Sequence, residues 1–403
     1  MQILFCIFAL FLCSTTSAYT FAQWNEKELS VIKSLSLSSL PDLPPSPSNK
    51  YADDPLAQSL GEKLFFDKNL SINGSISCAS CHHPDKLFTD GLPRGVGVNA
   101  TGRNTPTIVG SAWQRWFYWD GRKDSLWSQA LIPFEAPNEM GSSRLAVVRH
   151  VVEDDDYGET YQRLFGPVNP LLGRLNLPAN AGPLGDKTSK DNWFRLSNVT
   201  QGAINTAFSN IGKALEAYQR TLIYKPTRFD RYVRQLMTED NKSPLLDQQE
   251  IAGLKLFINP EKTQCLQCHN GATFTNGGFH NIGTGTFTGE ALDLGRFLGL
   301  QAVLRDEFNC LGKYSDAKLT QCSQLRFLNK AHHIPLQGAF KTPSLRHLSQ
   351  TSPYFHDGRL ATLEEVIAFY NEPATNNGPH ELVPLNLSED EIAALSAFLK
   401  TLE

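Results

Sequence analysis

The chain has 403 residues, which is enough for two domains of ordinary size. Hydrophobic residues make up 41% and charged residues 19%, the proportions of a globular protein with a sizeable core. The formal net charge of −4 provides no basic field, so a nucleic-acid partner is not predicted.

The first 22 residues resemble a secretory signal. An apolar run from Ile3 to Leu12 is followed by small residues at Thr16–Ala18, although Lys and Arg are missing before the run. Because the run is too short for an ordinary membrane span, we do not expect an integral membrane protein. The segment predicts an exported protein, most simply in a bacterial periplasm.

Residues 23–51 form a predicted N-terminal tether. Trp24 to Leu37 is a candidate short helix, and Pro41 to Ser48 contains four prolines, which favour an extended chain. The first domain is predicted to cover residues 52–240 and the second residues 241–403.

A short pattern, CxxCH, occurs twice, at Cys78–His82 and Cys265–His269. In an exported chain this pattern indicates covalent c-type haem, with two thioether bonds and the histidine as an axial iron ligand. A zinc knuckle, a redox CxxC pair or a disulfide are the alternatives, and they are less typical of two copies that both end in His. The predicted haem-binding residues are Cys78, Cys81, His82, Cys265, Cys268 and His269.

Other segments also occur twice in the same order. Gly61–Phe65 precedes the first CxxCH and Gly253–Phe257 precedes the second. Downstream, a Thr-Pro pair leads to an Asp-Gly-Arg run, and the spacing from Pro106 to Asp120 equals that from Pro343 to Asp357. These repeats predict two cytochrome c-like haem domains related by internal duplication. With few strand signals, the fold is predicted to be mainly α, with long loops.

The second copy carries an insertion at about 285–335. The stretch between the first Cys of the haem motif and the Thr of the Thr-Pro pair is much longer in copy two, from Cys265 to Thr342, than in copy one, from Cys78 to Thr105. The insertion contains Cys310 and Cys322, which in an oxidising compartment are expected to pair, the alternative being a small metal or thiol site. Loops of this length usually have a function, such as covering a haem edge or shaping a partner surface.

Three further helices are predicted from apolar spacing and caps. Thr200 to Leu222 carries one apolar stripe, which is most simply core packing. Capping boxes open the other two, at Thr362 with Glu365 and at Ser388 with Glu391.

The two haems are predicted to differ in the iron ligand on the side away from the CxxCH histidine. No Met follows the second CxxCH, so a downstream Met ligand is excluded. Tyr370 follows Asp357 on the apolar face of the helix that Thr362 caps, where it can ligate iron or simply pack in the core. At the same spacing after Asp120 stands Pro133, which cannot ligate iron. The comparison predicts an open first haem and a phenolate on the second.

An open ferric haem beside a carboxylate is suited to peroxide. Cleavage of the O–O bond needs a group that accepts a proton from one oxygen and returns it to the other. Glu139, which follows Pro133 on the same segment and has Gln129 before it, is the candidate acid–base group. From spacing alone, Glu139 is equally well a solvated loop residue.

These residues resemble the di-haem cytochrome c peroxidase and MauG superfamily from about Asp53 to the C-terminus. The segments that carry the resemblance are Leu64–Asp67, the two CxxCH motifs, Arg103–Pro106, Trp119–Arg122, Gln129, Glu139–Met140 and Pro353–Gly358.

The resemblance implies a role for each matching residue. His82 matches the proximal ligand of a peroxide-reactive haem, and His269 that of the second haem. Glu139 matches the distal acid, Gln129 a pocket glutamine, and Trp119 a tryptophan that relays electrons between the haems. A calcium ion between the domains is also implied, with ligands at Asn104, Thr351 and Pro353.

Departures from the family pattern indicate which branch of the family this chain resembles. Peroxidases that need reductive activation carry a His ligand in the segment matching Pro93 to Gly102, where this chain has Val96 and no His. Tyr370 stands where those enzymes have Met, as in MauG-like proteins. MauG has an exit Trp where this chain has Thr263, and the run from Ser34 to Pro45 resembles the MbnH group instead.

The resemblance therefore implies a periplasmic haem-dependent peroxidase or oxidoreductase with two haem c groups. A MauG-type enzyme would use hydrogen peroxide to form a high-valent di-haem state. It would then oxidise a protein partner, for the MbnH group a Trp converted to kynurenine on a copper-binding protein. The alternative is a cytochrome c peroxidase that reduces hydrogen peroxide to water with electrons from a small cytochrome c or cupredoxin.

Overall fold

The computed structural model describes residues 24–173, 177–238, 244–285, 292–328, 336–373 and 379–403, and the predicted signal lies outside these ranges. The helices in these ranges are α1 Glu26–Leu35, α2 Pro55–Phe66, α3 Cys78–Cys81, α4 Leu126–Glu135, α5 Arg144–Glu153, α6 Asp155–Phe165, α7 Lys187–Arg195, α8 Asn198–Gln219, α9 Arg228–Thr238, α10 Gln248–Ile258, α11 Cys265–Cys268, α12 Arg296–Arg305, α13 Ser323–Arg326, α14 Leu363–Asn371 and α15 Glu389–Lys400. Two short strands, β1 Phe279–His280 and β2 Phe340–Lys341, pair antiparallel. The prediction of a mainly α fold is confirmed.

The first core forms where α2 crosses α8. Gly61 allows the close approach, because a Cβ there would lie 1.9 Å from the carbonyl oxygen of Ala214. Around this crossing, α4, α5 and α8 bury Trp127, Phe134 and Phe208 almost completely. Burial of such large side chains is the main stabilising contribution in this half.

The second core repeats this crossing with α10 and α15. A Cβ on Gly253 would lie 1.9 Å from the carbonyl oxygen of Ala394, which matches the contact of Gly61 in the first half. The predicted capping boxes are present at the start of α14 and α15. In both halves, therefore, the helix before the haem motif is fixed against a later helix by one glycine.

Two helices that precede the second half in sequence pack with its core. Ile32 and Leu35 of α1 share the second core with Phe229 and Tyr232 of α9. The backbone N–H of Leu37 donates to Asp230 at 2.8 Å, which joins the end of α1 to α9. The predicted domain boundaries stay a prediction, but α1 and α9 are packed with residues 246–402.

The proline-rich tether lies against the first half. Its carbonyl oxygens accept from side chains there: Trp113 Nε1 donates to Pro41 at 3.0 Å and Arg220 Nη1 donates to Pro44 at 2.9 Å. The chain therefore runs from the second core, where α1 packs, across to the first.

Equivalent backbone hydrogen bonds join the two halves. Asn104 donates its N–H to the carbonyl of His356 at 2.8 Å, and Lys341 donates its N–H to the carbonyl of Trp119, also at 2.8 Å. Asn104 and Lys341 each precede a Thr-Pro pair, and Trp119 and His356 each precede an Asp-Gly pair. Each half therefore donates to the same position of the other.

The insertion packs on the first half. Cys310 and Cys322 form a disulfide with Cα atoms 5.7 Å apart, which confirms the predicted pairing. Phe308 and Tyr314 lie in the first core, although they belong to the second copy in sequence. The insertion therefore connects the two halves through both apolar and charged contacts.

Candidate active site

The first haem motif forms a single helical turn, α3. The N–H of His82 donates to the carbonyl of Cys78 at 2.9 Å, which brings the imidazole beside both thiols. Its Nδ1 lies 2.9 Å from the carbonyl of Phe88, so Nδ1 carries the proton and Nε2 is left as the free ligand atom. Burial lowers the pKa of His82, which keeps the ring in the neutral form that iron requires.

The second motif, α11, repeats this geometry. His269 Nδ1 lies 3.0 Å from the carbonyl of Phe274, and the N–H of His269 donates to Cys265 at 2.8 Å. Burial lowers the pKa of His269 to about 4. In each half, a partly buried, neutral histidine is thus oriented with its Nε2 available.

A cavity lies at the first motif, and the chemistry of its lining suits a covalently attached haem. Cys78, Cys81 and His82 line it together with apolar side chains, among them Phe65, Ile76, Ile108 and Leu215. A macrocycle needs such an apolar slot with its thiol and imidazole partners at one wall. The residues present would hold the first haem.

The predicted distal residues line the same cavity. Gln129 and Pro133 come from α4, and Glu139 from the turn that follows it. Burial raises the pKa of Glu139, and the nearby Arg122 guanidinium offsets part of that rise. A carboxyl group whose pKa is raised toward neutrality is suited to accept and return a proton.

The segment that carries a His ligand in other branches is bound to Glu139 here. Val98 donates its N–H to the carbonyl of Glu139 at 2.7 Å, and Asn99 donates to Asn138 at 3.1 Å. A Cβ at Gly97 would lie 2.3 Å from the Glu139 carbonyl oxygen, so this close contact requires glycine. Val96, which lies in the segment where other branches have the His ligand, is 49% exposed.

Tyr118 contacts one of the residues that line this cavity, and the sequence analysis missed it. Pro133 lies inside α4 and has no N–H, so the carbonyl of Gln129, one helical turn earlier, lacks its usual helical donor. Tyr118 donates its hydroxyl to this carbonyl at 3.3 Å. The Arg122 guanidinium lies 3.4 Å from the centre of the Tyr118 ring, a cation–π contact. The signal for Tyr118 was the proline inside the helix, because it leaves the carbonyl of Gln129 without its helical donor and so implies another donor nearby.

Trp119 lies at the junction of the two halves. Its Nε1 donates to the carbonyl of Asn104 at 3.0 Å, and its own carbonyl accepts from Lys341 of the second half. The N–H of Asn104 in turn donates to His356. The indole of Trp119 and the carbonyl of His356 are thus both hydrogen-bonded to the backbone of one residue, Asn104, which links Trp119 to the second half.

Tyr370 lies near the second haem motif. It is on α14, and its pKa is raised by burial first and then by the neighbouring thiols of Cys265 and Cys268. The structure therefore brings this phenol within electrostatic reach of both attachment cysteines. A ferric ion would favour the phenolate that burial alone disfavours.

The residues implied in calcium binding make other contacts. Asn104 Nδ2 donates to the carbonyl of Leu92 at 2.9 Å, and Thr351 donates its N–H to Leu348 at 3.1 Å, while Pro353 follows a cis peptide bond. Within the described ranges, no group of three His, Cys, Asp or Glu side chains could hold a metal ion. Calcium stays a prediction, and no later step depends on it.

Two CxxCH turns that each orient a histidine, one of them at a cavity that Glu139 also lines, are the features of one class, the di-haem c-type peroxidases. The model of the di-haem cytochrome c peroxidase family matches residues 56–238. Methylamine utilization protein MauG of Methylorubrum extorquens is 31% identical over 98% of this chain and 91% of its own length. Cytochrome-c peroxidase IdrP1 of Denitromonas iodatirespirans is 30% identical, over 91% of this chain and 86% of its own. The chain belongs to the di-haem cytochrome c peroxidase and MauG family.

Solved structures agree with this assignment. A MauG-like protein associated with microbial copper homeostasis superposes with a TM-score of 0.61 at 27% identity, covering 90% of this chain and 94% of that one. The di-haem peroxidase BthA of Burkholderia thailandensis shares the fold, with a TM-score of 0.62 at 21% identity and 87% of both chains covered. The protein is therefore a haem-dependent peroxidase-type oxidoreductase with two haem c groups. No helix in the described ranges is long and apolar enough to cross a membrane.

Proposed function

We propose that the enzyme uses hydrogen peroxide to oxidise a protein partner, as a MauG-type enzyme. The observation that carries this proposal is the cavity at His82, which Gln129 and Glu139 line together with Pro133, a residue that cannot be a ligand. The adjacent segment, Pro93 to Gly102, contains no His. The first haem is therefore open to peroxide.

Glu139 performs the acid–base step. Its carboxylate accepts a proton from the peroxide oxygen nearer the iron and returns it to the far oxygen, which leaves as water when the O–O bond breaks. Gln129 orients the bound peroxide. When bound, the haems supply the iron that reacts and keep the two oxidising equivalents. Because burial raises its pKa, Glu139 binds and releases protons closer to neutral pH than a solvated carboxyl does.

Trp119 relays the oxidising equivalents to the second haem, which His269 and Tyr370 hold. The indole lies between Asn104 of its own half and Lys341 of the other, which supports that role. Tyr370 and His269 would together hold the second haem, which would then store charge and leave peroxide to the first.

The substrate is a Trp side chain of a copper-binding protein in the periplasm. Two molecules of hydrogen peroxide would supply the two oxygen atoms that open its indole ring, with two waters released, and hydrolysis of the formyl product would release formate and leave kynurenine. The MbnH-like N-terminal run supports this, as does the 27% identity to a MauG-like protein associated with microbial copper homeostasis. The Cys310–Cys322 disulfide supports an oxidising compartment. The second candidate, peroxide reduction with a small cytochrome or cupredoxin as donor, is favoured by the similarity to cytochrome-c peroxidases.

Stopped-flow reaction of peroxide with Glu139→Gln tests the acid–base step. We expect the reaction to slow by roughly 10²- to 10⁴-fold with haem content unchanged. Glu159→Gln, an exposed acid on α6, is the matched control and should react normally. An unaffected rate in Glu139→Gln would rule out the proposed role of this residue.

Electron paramagnetic resonance of the oxidised protein tests the open site. A high-spin ferric signal is expected from the first haem, and its absence would contradict the proposal. Mass analysis of Trp in a co-purified partner then separates the candidates. Fast steady turnover with reduced cytochrome c and no change in the partner would favour the second.

A further inference from the structure

The same turn leads into the Asp-Gly-Arg run in both halves, and one residue of it has a left-handed backbone. Tyr118 has φ +66° and Phe355 has φ +69°. In each turn a glycine binds back to this residue: Gly121 donates its N–H to the carbonyl of Tyr118, and Gly358 donates to that of Phe355, both at 3.2 Å. Residues other than glycine rarely adopt such a φ, so the turn dictates this conformation. At this position the two halves differ only by the hydroxyl group of the tyrosine.

This hydroxyl is present in the half whose distal helix contains a proline. Pro133 and Tyr370 stand at the same distance after their Asp-Gly-Arg runs. Tyr118 and Phe355 likewise stand at the same distance before them. Proline has no N–H, and its ring clashes with the carbonyl of the residue four positions earlier, which here is Gln129. The first half therefore has both a carbonyl that needs a donor and the extra hydroxyl.

The Tyr118 hydroxyl supplies the missing donor. It donates to the Gln129 carbonyl at 3.3 Å. Burial, and after it the Glu139 carboxylate, raises the pKa of Tyr118, so the hydroxyl keeps the proton that it donates. The ring is fixed as well, because the Arg122 guanidinium lies 3.4 Å from its centre and also contacts both carboxylate oxygens of Asp120 at 3.1 Å. Tyr118 is thus held at its ring while its hydroxyl binds α4.

The course of α4 at Pro133 affects both distal residues. Gln129 precedes the proline on α4, and the turn that carries Glu139 is bonded back to it, because Met140 donates its N–H to the Pro133 carbonyl at 3.0 Å. Both Gln129 and Glu139 line the cavity at His82. A proline inside a helix bends it, and a group that binds the displaced carbonyl limits the bend. The bond to the Gln129 carbonyl therefore acts on the spacing between Gln129 and Glu139.

We propose that Tyr118 is a positioning residue for the reaction of the first haem with peroxide. Its hydroxyl replaces the amide that Pro133 lacks, and so holds the Gln129 side chain in place beside Glu139. The proposal rests on the proposed function, because Gln129 and Glu139 act on peroxide there. The second half needs no such hydroxyl, since Tyr370 has an ordinary backbone N–H where the first half has proline.

Tyr118→Phe in the haem-loaded enzyme removes the hydroxyl and keeps the ring that contacts Arg122. The variant should fold, because Phe355 occupies the same place in the other turn. We expect the reaction with peroxide to slow by roughly two- to tenfold, the effect of losing one hydrogen bond of ordinary strength. The high-spin ferric resonance of the first haem should also change shape, because Gln129 lines the cavity that would hold this haem. An unchanged resonance would overturn the proposal.

Tyr161→Phe is the matched control. The Tyr161 hydroxyl also makes one side-chain hydrogen bond, accepting from Asn210 at 2.9 Å, and Tyr161 packs in the first core without being among the residues that line the cavity. We expect a normal rate with peroxide and an unchanged resonance in this variant. Equal effects in Tyr118→Phe and Tyr161→Phe would mean that the Tyr118 hydroxyl only stabilises the fold, and would overturn the proposal.

Pro133→Ala tests the reason for the hydroxyl. Alanine restores an N–H for the Gln129 carbonyl, so Tyr118→Phe should have little further effect on the rate or the resonance in this background. The comparison is made between Pro133→Ala and the double variant, so any effect of Pro133→Ala by itself cancels. The same two- to tenfold loss in this background would show that the hydroxyl does not replace the missing amide, and would overturn the proposal.

The outcomes also separate the role of Tyr118 from the proposed function. A slow reaction in Glu139→Gln with a normal one in Tyr118→Phe would overturn the role of Tyr118 and leave the acid–base step standing. A normal rate in Glu139→Gln would remove the acid–base step. If Tyr118→Phe then still changed the resonance, and Pro133→Ala suppressed this change, Tyr118 would stand as the residue that positions Gln129.

Discussion

Removing the carboxylate of Asp306 should destabilise the protein by about 3 kcal/mol at pH 7. Asp306 is the ion-pair partner of Lys123, whose side chain is 5% exposed, and it also accepts from Ser128 Oγ at 3.1 Å. Breaking a buried pair from one side costs roughly 3–5 kcal/mol, because the other charge stays buried. Burial already lowers the pKa of Lys123, so the unpaired amine can lose its proton. Because a neutral amine is less costly to bury than a charged one, the loss of stability should lie near the lower end of this range.

The pH dependence of Asp306→Ala follows from the same residue. Without its partner, Lys123 binds its proton less tightly in the folded state than in the unfolded state. The unfolded state then binds more protons, so stability rises with pH. The deficit relative to the unmodified protein should therefore shrink as pH rises from 7 toward the unfolded pKa of Lys, about 10.4.

Denaturant unfolding, followed by haem absorbance, measures these differences. Replacing both partners, Lys123→Met with Asp306→Leu, should cost less than Asp306→Ala alone, because no charge is left buried. Asp191→Ala is the control, since its pair with Lys187 is exposed and should contribute less than about 0.5 kcal/mol. Equal losses in the single and double variants would refute the reasoning.

Three further outcomes are expected. Gly61→Ala should lower stability by about 3 kcal/mol, because its Cβ meets the backbone of α8, whereas Gly102→Ala, with nothing within 4 Å, should stay within about 0.5 kcal/mol; equal effects in unfolding experiments would contradict this. Tyr370→Phe should convert the second haem from low to high spin in its optical and resonance spectra, and an unchanged spectrum would remove Tyr370 as a ligand. Replacing Cys310 and Cys322 by Ser should cost about 3 kcal/mol in thermal unfolding, and no loss would mean that the packing of the insertion alone holds it in place.

Local patterns in the sequence predicted local structure well. The capping boxes at Thr362 and Ser388, the haem turns and the cysteine pair involve residues close in sequence or constrained by chemistry. The mainly α fold was predicted because the sequence has few strand signals. In each case the residues that form the sequence pattern also make the interactions that stabilise the structure.

Contacts between distant segments were not predictable in this way. Ile32 packs in the core of the second half, and Phe308 packs in the core of the first half. Nothing in the spacing of apolar residues around either position indicates this. Tyr118 was missed because its partner is a carbonyl that Pro133 leaves without a donor, and its distance from Pro133 along the chain conceals the relation.

The paired bonds between the halves use only peptide groups, from Asn104 to His356 and from Lys341 to Trp119. A peptide donates and accepts regardless of the side chain attached to it. Substitutions at these four positions can therefore leave the alignment of the halves intact. Trp119 carries an indole where His356 carries an imidazole, and Asn104 carries an amide where Lys341 carries an amine. The side chains of the two halves can therefore diverge in function while the backbone hydrogen bonds between the halves are kept.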